Sequence, residues 1–362
     1  MPVGQTIESQ GMLRLVVVVM LAVMAQLPPL SPARSTAPVP NDPDDPAIWI
    51  NAADPAKSLV FATDKMPATG GLYVFRLDGT LKKAITPLDR PNNVDVEYGF
   101  SVGGRPIDIA VVTERLKHRL RVYGIAADGE VRDLAPSGLA VLTGQPALAN
   151  EPMGIALYKR PRDGAVFAIV APKTGGTTNY LWQYRLAETG GAITATLVRR
   201  FGAFSQLGPV PGEIGEIEAV VVDDALGYVY YSDERYGIRK YHADPDHADA
   251  AKQLAVLGRD VYQGDREGLA IYAMPDGAGY LVSSDQLPGA TRLMIYPRNG
   301  SARGPHDQPL LAAIPTGADE TDGLDVTSTP LPSFPNGLLA MMNSTPRNFL
   351  LFSWTTVAAK LP

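Results

Sequence analysis

A five-residue unit recurs six times along this 362-residue chain and limits its possible folds more than any other feature. Each copy opens on a polar or special residue and continues as small, apolar, any, apolar, the pattern of a strand entered from a tight turn. The copies start at Asp45, Asn92, Met153, Glu218, Glu267 and Asp322, separated by 47, 61, 65, 49 and 55 residues. A four-stranded propeller blade takes about 40 to 50 residues, so these intervals suit one blade each with longer loops. Between the copies, Asp78-Gly79, Asp128-Gly129, Asp163-Gly164, Asp276-Gly277, Asn299-Gly300 and Asn336-Gly337 punctuate apolar runs as hairpin turns do. No apolar period of 3.6 residues persists beyond about three turns. The fold class expected is all-β, a six-bladed β-propeller; a pair of β-sandwiches and a seven-bladed ring are the alternatives. Such a ring closes by sharing one blade between its ends, and the stretches 349–352 and 41–50 are expected to share it.

With 35 glycines and 32 prolines the chain is rich in turn formers, which agrees with short strands. Cysteine is absent, so disulfides, thiolate metal sites and cysteine-nucleophile chemistry are excluded. Only four histidines occur and no Arg-His-Gly run, which leaves a phosphohistidine mechanism without support. A net charge of −6 offers no general attraction to nucleic acid or anionic lipid. Residue Arg14 precedes an apolar run at 15–25, then Pro28-Pro29 and Ser31-Pro32-Ala33, the three regions of a secretory signal, with Met12 an alternative start. Eleven apolar residues fall short of the ~20 that span a bilayer. The expected organisation is therefore a signal peptide at 1–33, a linker at 34–40 and one propeller at 41–362. The protein is expected to be secreted or periplasmic, monomeric, and not held stably by a membrane.

In a propeller the unit begins the innermost strand, so its first residues point together at one mouth of the central channel. That gathers Asp45, Glu218, Glu267 and Asp322, with Asp44, Asp233, Glu234 and Asp325 nearby in sequence. Oxygen ligands in such number suit Ca²⁺ better than zinc. The competing reading is that each acid caps its own turn. Three cations, Lys65, Arg115 and Lys173, follow apolar runs and occupy strand exits, where they can hold an anionic group that the metal also attracts.

These motifs resemble the β-propeller phytase family, secreted calcium-dependent hydrolases of phytate, over about residues 41 to 354. The resemblance rests on Asp44-Asp45-Pro46-Ala47-Ile48-Trp49, Asn92-Asn93-Val94-Asp95-Val96, Val222-Asp223-Asp224 with Gly227 and Tyr230, Glu267-Gly268-Leu269 with Ile271-Tyr272, Gly279-Tyr280-Leu281-Val282-Ser283-Ser284, and Thr321-Asp322-Gly323-Leu324-Asp325-Val326. It implies calcium ions at one mouth, held by Asp45, Glu218, Glu267 and Asp322 with Asp233 or Glu234, and phosphate held by Lys65, Arg115 and Lys173. Those three cations and Glu218 are the residues expected to carry catalysis. Two positions depart from the family: Met66 stands where a second lysine is common, and Met153 where a tyrosine is. The Pro- and Gly-rich stretch 207–216 has no counterpart. The function implied is a calcium-dependent phosphomonoesterase acting on phytate through a metal-activated water. Alternatives are a non-catalytic secreted binding propeller and a calcium-dependent lactonase-like hydrolase.

Overall fold

The computed structural model describes residues 28–362. The strands form six sheets, every neighbouring pair antiparallel, and each sheet begins with one copy of the recurring unit. Blade 1 runs through Pro43–Trp49, Leu59–Asp64, Gly70–Arg76 and Leu81–Leu88; blade 3 through Pro152–Lys159, Val166–Pro172, Thr178–Thr189 and Ala192–Ala203. The inner strands of blades 2, 4, 5 and 6 are Pro91–Val102, Val220–Asp223, Asp265–Ala273 and Leu324–Thr327. One narrow cavity touches residues of all six inner strands, from Asp45 through Asn93, Ile155, Ala219 and Leu269 to Leu324, and is the central channel. This is the six-bladed ring expected from the repeat.

Each sheet is apolar on both faces and buries them against its neighbours, so the core lies between blades rather than within them. Six apolar clusters result, one at each blade junction: Ile155 and Trp182 of blade 3 pack with Val111 and Val122 of blade 2, while Ile48 and Phe75 of blade 1 pack with Leu338 and Phe349 of blade 6. The Asp-Gly turns supply the sharp corners. Asp78 Oδ1 accepts the Thr80 N–H at 2.9 Å, and Gly79 sits at φ +87°, where a side chain is strained. At the channel, Gly154 leaves room for the main chain of Glu218, whose carbonyl any side chain there would strike. The inner strands of blades 3 and 4 therefore approach this closely only with glycine at this position.

A second repeat stitches the ring. The hydroxyls of Thr63, Thr113, Ser232 and Ser284, all completely buried near the ends of second strands, donate to the carbonyls of Asn92, Met153, Glu267 and Thr321 at the start of the next blade. The residue after each hydroxyl is an acid that accepts N–H groups or guanidinium from the segment leading into or completing its own blade. Asp64 takes the N–H groups of Asn41 and Asp42, Glu114 that of Asp89, and Asp285 those of Gln263 and Gly264.

Closure departs from expectation. The stretch 41–50 forms the inner strand of its own blade, and the strand that completes blade 6 is Arg34–Ser35, paired with Leu351 and Leu350. Residues 28–33 also belong to the ring: Leu30 is buried among blade 5 and 6 side chains and donates to Pro315, while the Ala33 N–H donates to Leu351. The linker at 34–40 is thus a structural strap, and the described part of the segment assigned to the signal packs on the ring because Leu30 has an apolar berth there. The apolar run at 15–25 lies outside the described residues. Among the described residues no helix is long and apolar enough to cross a membrane.

Candidate active site at one mouth of the ring

The residues at or just past the end of each second strand surround one mouth. In blade order they are Lys65, Arg115, Lys173, Glu234, Gln286 and Ser344. Cations stand on blades 1 to 3 and a carboxylate and neutral groups on blades 4 to 6. The inner-strand starts follow this division except on blade 1, where Asp44 and Asp45 stand; Asn92 and Met153 are on blades 2 and 3 and Glu218, Glu267 and Asp322 on blades 4, 5 and 6. The mouth is polarised, basic on one side and acidic on the other.

On the acidic side Glu218, Glu267 and Asp322 converge. Burial pushes the carboxyls of Glu218 and Glu267 well above their usual range, and each is pushed further by neighbouring acids, Asp44 and Asp322 acting on Glu218, Glu234 and Glu218 on Glu267. Burial likewise raises Glu234 to about 8 and Asp322 to about 7. One carboxylate oxygen from each of Glu216, Glu218 and Glu234 lies within 4.8 Å of the others, a spacing that can hold a metal ion. A cleft of about 320 Å³ opens above them, lined by Glu213, Ile214, Glu216, Glu218, Glu234, Asp265 and Glu267. The stretch 207–216 forms one wall of that cleft and brings Glu216 to the site.

The donor set fits a hard divalent cation. It contains carboxylate and amide oxygens only, and two of its buried oxygens, Asp44 Oδ2 and Asn92 Oδ1, have no hydrogen-bond partner. Asn92 donates its amide to Glu218, which leaves its oxygen as an uncommitted acceptor beside the cluster.

The cations meet this cluster at its border. Lys65 Nζ lies 2.8 Å from Asp44 Oδ1 and 2.5 Å from Asp322 Oδ2. Burial works against its charge, but Asp44, Asp322 and Glu218 outweigh that and hold its pKa well above normal. Arg115 is buried and pairs with Glu151 at 2.8 Å. Lys173 pairs with Glu216, and burial together with the Arg115 charge lowers its pKa. The three expected phosphate binders thus occupy one side of one mouth.

Two expected metal ligands stand elsewhere. Asp233 is completely buried, clamped by Arg239 at 2.8 Å and accepting from the N–H and hydroxyl of Ser205. It is the blade 4 member of the stitching repeat, so its carboxylate is spent on the fold and Glu234 alone faces the cleft. Asp45 turns down the channel, where its Oδ2 accepts the Val94 N–H at 3.0 Å and its charged neighbours are Asp44, Asp325 and Asp95. Asp44, which precedes it, faces Lys65 instead. The pairing register of the inner strand shifts between Pro43 and Pro46, and that bulge decides which of the two adjacent acids reaches the mouth. Sequence reasoning did not single out Glu216, Asp265 or Asn92 as site residues. Gln286, whose amide donates to Asp322 at 2.5 Å, also went unseen. The order acid-then-exit-residue after the second-strand hydroxyl would have found Gln286.

The opposite mouth is a larger opening lined by the far ends of the same strands, including Asp95, Glu97, Tyr98, Asp224, Asp325 and Arg298. Its acids are used as staples between blades. Asp95 accepts the Leu157 N–H at 2.6 Å, Asp325 that of Ile48 at 2.7 Å, and Asp224 that of Lys159 at 3.2 Å. Lys159 and Arg298 are committed to the Tyr98 carbonyl and to Asp223.

The Phytase family model matches residues 26–361. A 3-phytase of Bacillus subtilis (strain 168) is 31% identical over 332 residues, covering 88% of this chain and 81% of the relative. Among solved structures, a protein from Lactobacillus plantarum superposes with a TM-score of 0.53 at 17% identity, over 88% of this chain and 83% of that one, a likeness of fold.

Proposed function

The chain belongs to the phytase family and is a phytate hydrolase, and from that premise we propose that it is a calcium-dependent phosphomonoesterase working at the polarised mouth. The observation that carries this reading is the side-by-side placement of an all-oxygen acidic cluster and three cations, with Lys65 at their border. Glu218, Glu267 and Asp322 would hold Ca²⁺, with Glu216, Glu234, Asp44 and Asp265 around them. Bound there, Ca²⁺ neutralises the carboxylates, polarises a phosphoryl oxygen and makes a water more nucleophilic.

The remaining work falls to side chains. Arg115 offers two parallel N–H donors to phosphoryl oxygens, and Lys173 and Lys65 act as point charges that stabilise negative charge developing on the transferring group. Burial of Arg115 strengthens its hold, since water screens it little. Pairing with Glu151 fixes the guanidinium in place. Met66 and Met153 leave the mouth with fewer polar contacts than the family pattern, so affinity for substrate rests more heavily on these three cations. A lactonase acting on uncharged rings has no use for three cations on one side of the mouth, which favours a phosphoester. The reading extends to a monomer exported under the direction of the run at 15–25.

Phosphate release from phytate is to be measured with Ca²⁺, after exhaustive chelation, and after Ca²⁺ is restored. Loss and recovery are expected; undiminished release in chelator would reject the calcium role.

A further inference from the structure

We propose that residues 243–253, the turn after the third strand of blade 4, form an acid-sensitive clasp between blades 3 and 4, closed while His242 and His247 stack as neutral rings and opened when both take up protons. The third strand is Gly237–His242, and it runs antiparallel to Tyr228–Asp233, which ends beside Glu234 at the mouth. His242 is paired with Tyr228 and so stands at the end of the blade away from the mouth. Three of the chain's four histidines gather there. The rings of His242 and His247 lie face to face, centroids 3.6 Å apart and 17° from parallel. Tyr228 lies 5.5 Å from His242 on one side, and His306 of blade 5 meets Tyr228 edge-on at 5.6 Å.

This turn ties the two blades together. Asp244 and Asp246 accept from Arg160 and Arg162, and Arg199 on the outer strand of blade 3 donates to the carbonyls of His242, Ala243 and Ala250. The Ala243 N–H bonds the Gly227 carbonyl and the Leu254 N–H that of Lys240, so both ends of the turn are anchored on blade 4. Between the anchors its shape rests on His247, whose Nδ1 accepts the Asp249 N–H at 3.0 Å while its face covers His242. Neutral rings in this arrangement attract. Two imidazolium rings at the same separation repel, and a protonated Nδ1 is a donor that can no longer accept from Asp249.

The surrounding charges do not rescue the doubly protonated form. Asp249 favours charge on His242, but Arg199 and His306 oppose it, Lys240 lies 4.0 Å over the ring of Tyr228, and Asp244 and Asp246 are spent on the two arginines. Burial, then the His247 charge, holds His242 below the usual imidazole range, and burial, then Lys240 and Lys252, does the same to His306. The closed turn is therefore supported above about pH 6.5 and loses that support as pH falls through the imidazole range.

Hydrogen–deuterium exchange in Ca²⁺ at about pH 7.5 and about pH 5.5, corrected for intrinsic exchange rates, reads the clasp directly. Peptides covering 243–253 are expected to lose protection at least about tenfold at the lower pH, while the inner strands keep theirs. His247→Phe keeps a stacked ring that does not titrate, and its turn is expected to be equally protected at both pH values. His247→Gln, which has no ring to stack, is expected to be open at both. Wild-type protection that does not change with pH, or the same loss in His247→Phe, would overturn the proposal. Should His247→Phe fail to fold, the pH midpoint in wild type decides. A midpoint between about pH 5.5 and 6.5 supports the histidines, whereas loss only below about pH 4.5, where the carboxylates held by Arg160 and Arg162 titrate, would reject them.

Discussion

Blades 1 to 3 and blades 4 to 6 share one backbone plan and present opposite charge at the same mouth. In both halves a buried second-strand end delivers the next residue to the rim. Blades 1 to 3 place Lys65, Arg115 and Lys173 there, and blades 4 to 6 place Glu234, Gln286 and Ser344. The repeat thus determines where a side chain stands, and the identity at that single position determines what it does. A border between the halves follows from ring closure, because blade 6 meets blade 1 and blade 3 meets blade 4. Lys65 on Asp322 and Lys173 on Glu216 are those two contacts.

This contrast can be broken most severely from the acidic side. Glu218→Gln is expected to lower phosphate release from phytate by about a thousandfold and to weaken Ca²⁺ binding in a calorimetric titration. Retained release with normal calcium affinity would remove Glu218 from the site. On the basic side, Arg115→Ala is expected to cost about a hundredfold in kcat, whereas Glu151→Gln, which leaves the guanidinium present, costs far less. Equal losses would mean that the pair serves the fold alone.

Smaller effects separate the two ends of the channel. Burial and neighbouring acids raise Glu234 to about 8 and Asp322 to about 7, so the ion-free fold holds protons that the unfolded chain has lost. That contribution is complete below the ordinary carboxyl range and disappears as pH rises through about 7 to 8. A chelator is therefore expected to lower the thermal midpoint by several degrees at pH 8 and hardly at all at pH 5, where protons replace the cation. At the far mouth burial, then Glu97, raises Asp224 to about 9. Asp224→Asn removes that titration and is expected to raise the midpoint at pH 9 by about 1 to 3 °C, with no gain at pH 6 and no change in phosphate release. A shift that is the same at both pH values would exclude the titration as its cause.

The inner strands were legible because the unit is five residues long and recurs at blade intervals. The stitching repeat was not, because its signature is two common residues, as in Thr63-Asp64 and Ser232-Asp233, and blade 3 replaces them with Ala171-Pro172. That gap explains why Asp233 and Glu234 looked equivalent in sequence although only one faces the cleft. Asp44 and Asp45 were ambiguous for a different reason. Strand alternation assigns adjacent residues to opposite sides, but a bulge at that point removes the rule. Arg34–Ser35 is too short to carry any periodicity, so the closing strand could only be seen once folded.

The seam between Arg34–Ser35 and Asn348–Ser353 makes distant parts of the chain neighbours in space. Topologically the molecule is a circle whose starting point is arbitrary. A circular permutant of residues 28–362 opened at the exposed Asp163-Gly164 corner, with a short bridge joining residues 362 and 28, is expected to rebuild the same mouth and keep its phosphate release. Failure of that permutant to fold would show that the order in which the blades are laid down, and not only their final adjacency, matters to this ring.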